Sequence, residues 1–98
     1  MEVKDPGPAI PLRMSLEQNY PNPFNPTTTI SFTLPHPGFA RLAIYNLLGQ
    51  QVSVLLASEM SAGRHTVRWD AGNVPTGVYF YRLETGKSVE TRKLIVVK

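Results

Sequence analysis

Apolar and polar residues alternate one by one through much of this chain. In residues 28–34, Ile30, Phe32 and Leu34 take every second position, with threonine or serine between them. A period of two is typical of a strand with one buried face, because successive side chains point to opposite sides of a sheet. The pattern predicts strands over residues 28–34, 39–45, 51–57, 64–70, 77–84 and 88–97. Helical spacing of apolar residues is not found.

Turn residues separate these predicted strands. Residues 46–49 form a predicted hairpin loop, with Gly49 suited to the left-handed conformation that closes it. Residues 58–63 are a longer connection, suited to a crossing between sheets. Six strands with turns every 8–12 residues predict an all-β fold, an Ig-like antiparallel β-sandwich of about seven strands once an ordered lead-in is added.

Proline dominates the first quarter of the chain. Residues 1–14 resemble a linker, and we take residues 15–98 as the domain. Residues 15–27, called the lead-in segment below, carry Pro21, Pro23 and Pro26. Each proline restricts the backbone angles of the residue before it to the extended region. We expect a stiff segment rather than a strand, anchored in the core by Tyr20 and Phe24.

The same alternation predicts which side chains face the interior. The expected inward positions of the later strands are Val52, Val54, Leu56, His65, Val67, Trp69, Tyr79, Tyr81 and Leu83. Trp69 and the tyrosines also suggest a sugar-stacking platform, but large aromatics on the apolar phase of a strand mostly belong to a core. We therefore expect Trp69 to be central to the sandwich.

Composition excludes several classes of function. The chain has 98 residues, no cysteine and a net charge of +3. One domain fits this length, and disulfides and thiol chemistry are excluded. The positive charge is too dispersed for nucleic-acid binding, and no apolar run approaches the roughly 20 residues that span a bilayer. The N-terminus lacks a signal-peptide pattern, so export would require a signal farther upstream.

No catalytic, cofactor or metal site is predicted. No serine lies in a nucleophile elbow, no glycine loop suits a phosphate, and the carboxylates are scattered. His36 and His65 are isolated, so neither suggests zinc. Asp70 and Asn73 share a turn, but a single carboxylate binds calcium weakly.

Five blocks of sequence together resemble a known family. The blocks are LEQNYPNPFNPTTTISFTLP, IYNLLGQQV, AGRHTVRWD, PTGVYFYRL and TRKLIVVK. In this order and spacing they resemble the C-terminal sorting domain, type A, of bacterial type IX (Por) secretion, and the related Ig-like module of flagellar hook-capping proteins. The resemblance covers about residues 15–98.

The resemblance implies a C-terminal sorting signal on a secreted bacterial protein. Outer-membrane type IX machinery would recognise the domain after the upstream cargo reaches the periplasm, and the cargo would end secreted or on the cell surface. A sortase-like peptidase would cleave within residues 1–15, where exposed backbone suits proteolysis. We expect a monomer without cofactors.

The resemblance also nominates recognition residues. These are Pro21, Asn22 and Pro23 of the lead-in segment, Gly77 and Tyr79 of the penultimate strand, and Lys93 and Lys98 of the closing segment. We expect the last strand to offer an accessible edge or basic side chains to a receptor. The alternative is a non-catalytic structural, adhesive or carbohydrate-binding module of an extracellular enzyme.

Overall fold

The computed structural model describes residues 13–98, which form seven strands and no helix. Residues 1–12, which include most of the predicted linker, lie outside the described residues. The strands are β1 (Ser15–Leu16), β2 (Thr27–Leu34), β3 (Gly38–Tyr45), β4 (Gln51–Met60), β5 (Gly63–Asp70), β6 (Gly77–Thr85) and β7 (Val89–Val96).

These strands form two antiparallel sheets that pack as a sandwich. One sheet has the order β1-β2-β5 and the other has the order β4-β3-β6-β7. The chain changes sheets between Met60 and Gly63, within the connection predicted for that crossing, although β4 runs on to Met60 and shortens it. The predicted all-β sandwich is confirmed.

Most core side chains lie at alternate positions of the strands. The fully buried large side chains of β2, β3, β6 and β7 are Ile30, Phe32, Leu34, Leu42, Ile44, Tyr81, Leu83, Leu94 and Val96. Trp69 of β5 is buried and packs against the rings of Phe24 and Tyr79, with centroids 5.8 Å and 6.2 Å away. The prediction that Trp69 is a core residue is confirmed.

One predicted inward residue of β4 faces outward. Leu42 pairs with Leu56 and Ala43 pairs with Val54, so Leu55 is an extra residue in β4. Such a bulge moves the residues beyond it to the opposite face. The prediction for Val54 is therefore wrong: its side chain is 42% exposed, whereas Leu55 packs against the core.

The lead-in segment differs from the prediction in two ways. Its first residues form the short strand β1 on β2. Phe24 is buried as expected, but Tyr20 is 80% exposed and the prediction that it anchors the core is wrong. Backbone pairing of Tyr20 with Thr29 turns the neighbouring Asn19 inward instead, and Asn19 is 2% exposed. The side-chain amide of Asn19 donates hydrogen bonds to the Pro21 carbonyl and the Thr28 hydroxyl, which satisfy this buried polar group.

Candidate recognition surface

The proline motif of the lead-in segment lies along the outer edge of β7. The side-chain oxygen of Asn22 accepts the backbone N–H of Ile95 at 3.0 Å. Phe24 then pairs with β7 in parallel: its N–H donates to the Ile95 carbonyl at 3.2 Å, and its carbonyl accepts the Val97 N–H at 3.0 Å. The last part of this sheet edge is thus occupied by the chain's own backbone and by one side chain.

Earlier residues continue the contact toward the start of β7. The amide of Gln18 donates to the Lys93 carbonyl at 2.9 Å. The Leu16 N–H donates to the Glu90 carboxylate at 2.8 Å, and the Arg92 guanidinium donates to the Leu16 carbonyl at 2.5 Å. These bonds join β1 of one sheet to β7 of the other. A partner strand could pair with the edge of β7 from Lys93 to Val97 only after displacing the lead-in segment.

Tyr81 holds the lead-in segment from the interior. Its hydroxyl donates to the Glu17 carbonyl at 2.6 Å and accepts the Asn19 N–H at 2.9 Å. The side chain is fully buried, and this burial raises the pKa of Tyr81 to about 12, against the lowering effects of the Asn19 hydrogen bond and the charge of Arg92. The phenol therefore stays protonated and can donate. Sequence placed Tyr81 in the core, but gave no sign of this role.

The carbonyl of Pro21 is fixed from beneath by two side chains. The Asn19 amide donates to it at 3.0 Å, and the Thr28 hydroxyl donates to it at 2.8 Å. Both donors are buried, whereas Pro21, Asn22 and Pro23 are exposed. The motif is therefore an exposed surface whose Pro21 carbonyl is held by two buried side chains. The peptide bonds that precede Pro21 and Pro23 are cis.

Gly77 and Tyr79 connect to the same strand. Gly77 pairs with Val96, and Tyr79 pairs with Leu94. Tyr79 is mostly buried, and its hydroxyl donates to the Pro75 carbonyl at 2.7 Å. Both residues also line a shallow cleft of about 230 Å³ beside the loop between β3 and β4.

The two nominated lysines differ in their surroundings. Lys93 is exposed and lies across from Phe80 on the outer face of the four-stranded sheet. The ammonium of Lys98 instead donates to the carbonyls of Ala71 and Gly72, at 3.1 Å and 2.9 Å. Lys98 therefore ties the end of the chain to the turn after β5, while Lys93 projects its charge into solvent.

The structure thus brings the nominated residues to one side of the sandwich. Pro21, Asn22 and Pro23 lie along the edge of β7, and Lys93 belongs to that strand. Gly77 and Tyr79 are paired with it, and Lys98 follows it. The family resemblance identified these residues one by one, and the sequence did not indicate that they lie close together in the fold.

Asp70 and His65, which were weighed above as metal ligands, make hydrogen-bonding contacts within the domain. The Asp70 carboxylate accepts the Gly72 N–H at 2.8 Å, and the His65 ring lies 2.8 Å from the Ser61 carbonyl. Among residues 13–98, no group of three or more His, Cys, Asp or Glu could hold a metal ion. The described part of the chain also contains no helix long and apolar enough to cross a membrane.

An ion pair also links the lead-in segment to β5. The Arg64 guanidinium contacts the Glu17 carboxylate at 3.0 Å. This hydrogen bond lowers the pKa of Glu17 below its ordinary value. Both side chains are largely exposed, so solvent screening keeps the contribution to stability small.

Comparison with known families gives one match. The sequence matches the family described as "Secretion system C-terminal sorting domain" over residues 18–97. No curated protein matches the chain. The matched range includes all the nominated residues except Lys98.

Proposed function

Because the chain belongs to the family of secretion-system C-terminal sorting domains, we propose that the type IX machinery reads its proline motif and last strand as one surface. The domain is a sorting signal for type IX secretion, and it marks the attached protein for secretion or for the cell surface. It acts through interaction with the type IX machinery, and its family is not a catalytic one.

The observation that supports a single surface is the contact between Asn22 and Ile95. It joins two segments that are 73 residues apart in the sequence. A receptor that contacts both segments then requires the folded domain, and an unfolded chain would not present them together. Rigid surfaces also lose little conformational entropy on binding, which favours recognition without a large interface.

The exposed groups define the partner's chemistry. The rings of Pro21 and Pro23, together with the 80% exposed Tyr20, offer apolar contact area. Lys93 adds a positive charge on the neighbouring strand. A complementary receptor would present an apolar groove with a carboxylate near Lys93, since opposite charges set orientation and speed association.

The proposal extends to processing. A sortase-like peptidase would cleave within residues 1–15, and residues 1–14 would link the domain, residues 15–98, to an upstream cargo. Proline and glycine in that stretch support a linker. We further propose that the domain acts as a monomer.

The alternative module for structure, adhesion or carbohydrate binding has less support. A sugar platform needs an exposed aromatic face, and Trp69 is 6% exposed between Phe24 and Tyr79. Its ring is therefore part of the core and does not present a face on which a sugar could stack.

Export of a reporter tests the proposal. Residues 1–98 would be fused behind a signal peptide and a reporter, in a bacterium that has type IX secretion. We expect the fusion outside the cell or on its surface, and a fusion that remains in the periplasm would overturn the proposal. Deleting residues 93–98 is a poor test because Leu94 and Val96 are fully buried, so point substitutions are preferable.

A further inference from the structure

Two consecutive amide side chains join the proline motif to the last strand. The Gln18 amide nitrogen donates to the Lys93 carbonyl at 2.9 Å and to the Asn19 side-chain oxygen at 2.6 Å. The Asn19 amide nitrogen in turn donates to the Pro21 carbonyl at 3.0 Å. A continuous path of hydrogen bonds therefore runs from β7 to the motif. We call the side chains of Gln18 and Asn19 the amide bridge.

The Thr28 hydroxyl closes the amide bridge at its Pro21 end. It accepts a hydrogen bond from the Asn19 amide at 2.9 Å and donates one to the Pro21 carbonyl at 2.8 Å. Asn19, Thr28 and Pro21 thus each contact the other two. Hydrogen bonds weaken steeply when their length or angle departs from the optimum. The Pro21 carbonyl therefore has less freedom than a single bond would leave it, because any displacement disturbs two bonds.

The bonding at both positions of the amide bridge requires an amide-like group. A carbonyl accepts hydrogen bonds but cannot donate them, so the side-chain atom that faces Pro21 or Lys93 must carry hydrogen. Asn19 also accepts a bond from Gln18, and an amide carries both kinds of group. A carboxylate would place an acceptor against the carbonyl, and an apolar side chain would leave the carbonyl without this donor.

The deepest members of this network lie beyond the reach of a receptor. Asn19 and Thr28 are 2% and 1% exposed, whereas Pro21 and Lys93 are exposed. Burial of polar side chains costs free energy unless they are hydrogen-bonded, and apolar groups of the same shape can fill such a space at little or no loss of stability. What the polar network adds is a fixed spacing between two exposed segments.

We propose that Gln18, Asn19 and Thr28 are positioning residues for recognition. They hold the proline motif and Lys93 at the spacing that the type IX machinery binds. This inference rests on the proposed function, because it takes the motif and the last strand as one surface. A surface that already has its bound arrangement loses less conformational entropy when a partner docks. Loss of the network therefore weakens binding although no contact with the partner is removed.

Export of the reporter fusion with Gln18→Met tests the amide bridge, with Gln51→Met as the matched control. Each substitution keeps the length of the side chain and removes an amide that makes a hydrogen bond. Gln51 belongs to β4, at the opposite edge of the same sheet. We expect Gln18→Met to lower export roughly fivefold, which corresponds to about 1 kcal/mol of binding free energy. Gln51→Met should be exported normally.

Thr28→Val tests the other end of the network. Valine has the shape of threonine without its hydroxyl, so export should fall, whereas Thr28→Ser keeps the hydroxyl and should restore export. Ile30→Val is the control for stability, because it removes one buried methylene from the same face of β2. It should lower the thermal midpoint and still be exported normally. An equal loss of export in Ile30→Val and Thr28→Val would overturn the inference, since stability alone would then explain it.

The effect of Gln18→Met should also depend on Lys93. If the amide bridge acts by positioning Lys93, Gln18→Met should cost little more export once Lys93→Ala has removed the charge, and the two losses should not add. Additive losses would overturn this inference alone, as would normal export of Gln18→Met and Thr28→Val while Lys93→Glu is not exported. Retention of the unsubstituted fusion in the periplasm would instead overturn the proposed function, and this inference with it.

Discussion

The side-chain oxygen of Asn22 lies 3.0 Å from the backbone nitrogen of Ile95 and accepts its hydrogen bond. This contact replaces the backbone carbonyl that a neighbouring strand would supply. Phe24, two residues later, continues the pairing with its own backbone. Edges of sheets are prone to unwanted pairing, and natural proteins cover or charge them. Here the cover is the same proline motif that the family resemblance nominates for recognition.

Removing the Asn22 acceptor should loosen this edge locally. We expect Asn22→Ala to lower the free energy of unfolding by about 0.5–1.5 kcal/mol, the usual net contribution of one hydrogen bond. Amide hydrogen exchange at Ile95 should become faster than in the unsubstituted protein. Asn25→Ala, an exposed residue of the same segment, is the control. Equal protection of Ile95 in both variants would contradict the role of Asn22.

Tyr81→Phe tests the interior anchor of the lead-in segment. The substitution leaves the ring in the core but removes the hydroxyl that bonds Glu17 and Asn19. Because it leaves the buried Asn19 N–H and the Glu17 carbonyl without this partner, we expect a loss of about 1–3 kcal/mol in urea unfolding. Tyr45→Phe, at the outer face of the sheet, should cost less. A Tyr81→Phe variant as stable as the native protein would show that the hydroxyl does not hold the segment.

The same hydroxyl should make stability depend on pH in alkaline solution. The pKa of Tyr81 rises from its ordinary value of 10.0 to about 12 in the folded protein. A raised pKa of this kind stabilises the fold fully below pH 10, and that contribution is lost as the pH rises toward 12. The stability difference between the native protein and Tyr81→Phe should therefore shrink across that range. A difference that is constant with pH would argue against a buried, protonated phenol.

Local pattern was enough to predict most of the core. Period-two alternation correctly assigned Ile30, Phe32, Trp69 and Tyr79 to the interior, because each lies in a strand that pairs in unbroken register. The same rule failed at Val54, where β4 carries an extra residue opposite β3. A bulge is a property of two paired strands, and the sequence of one strand does not reveal it.

Features that depend on contacts between distant parts of the chain could not be predicted from the sequence alone. The prediction that Tyr20 anchors the core is wrong because the polar Asn19 lies inside instead, where it is hydrogen-bonded to Tyr81 and Thr28. The meeting of the proline motif with β7 depends on how the two sheets stack, so neither segment indicates it.

Export of the reporter fusion carrying Lys93→Glu, compared with Lys87→Glu, tests the central claim most directly. Both lysines are exposed and both substitutions change the charge equally, but Lys93 lies on β7 beside the proline motif and Lys87 lies in the turn between β6 and β7. If the proline motif and the last strand form the surface that is read, Lys93→Glu should reduce export by roughly tenfold or more, the factor that about 1.4 kcal/mol of binding free energy gives, while Lys87→Glu should be exported normally. Equal export of the two variants, with both folded, would contradict it.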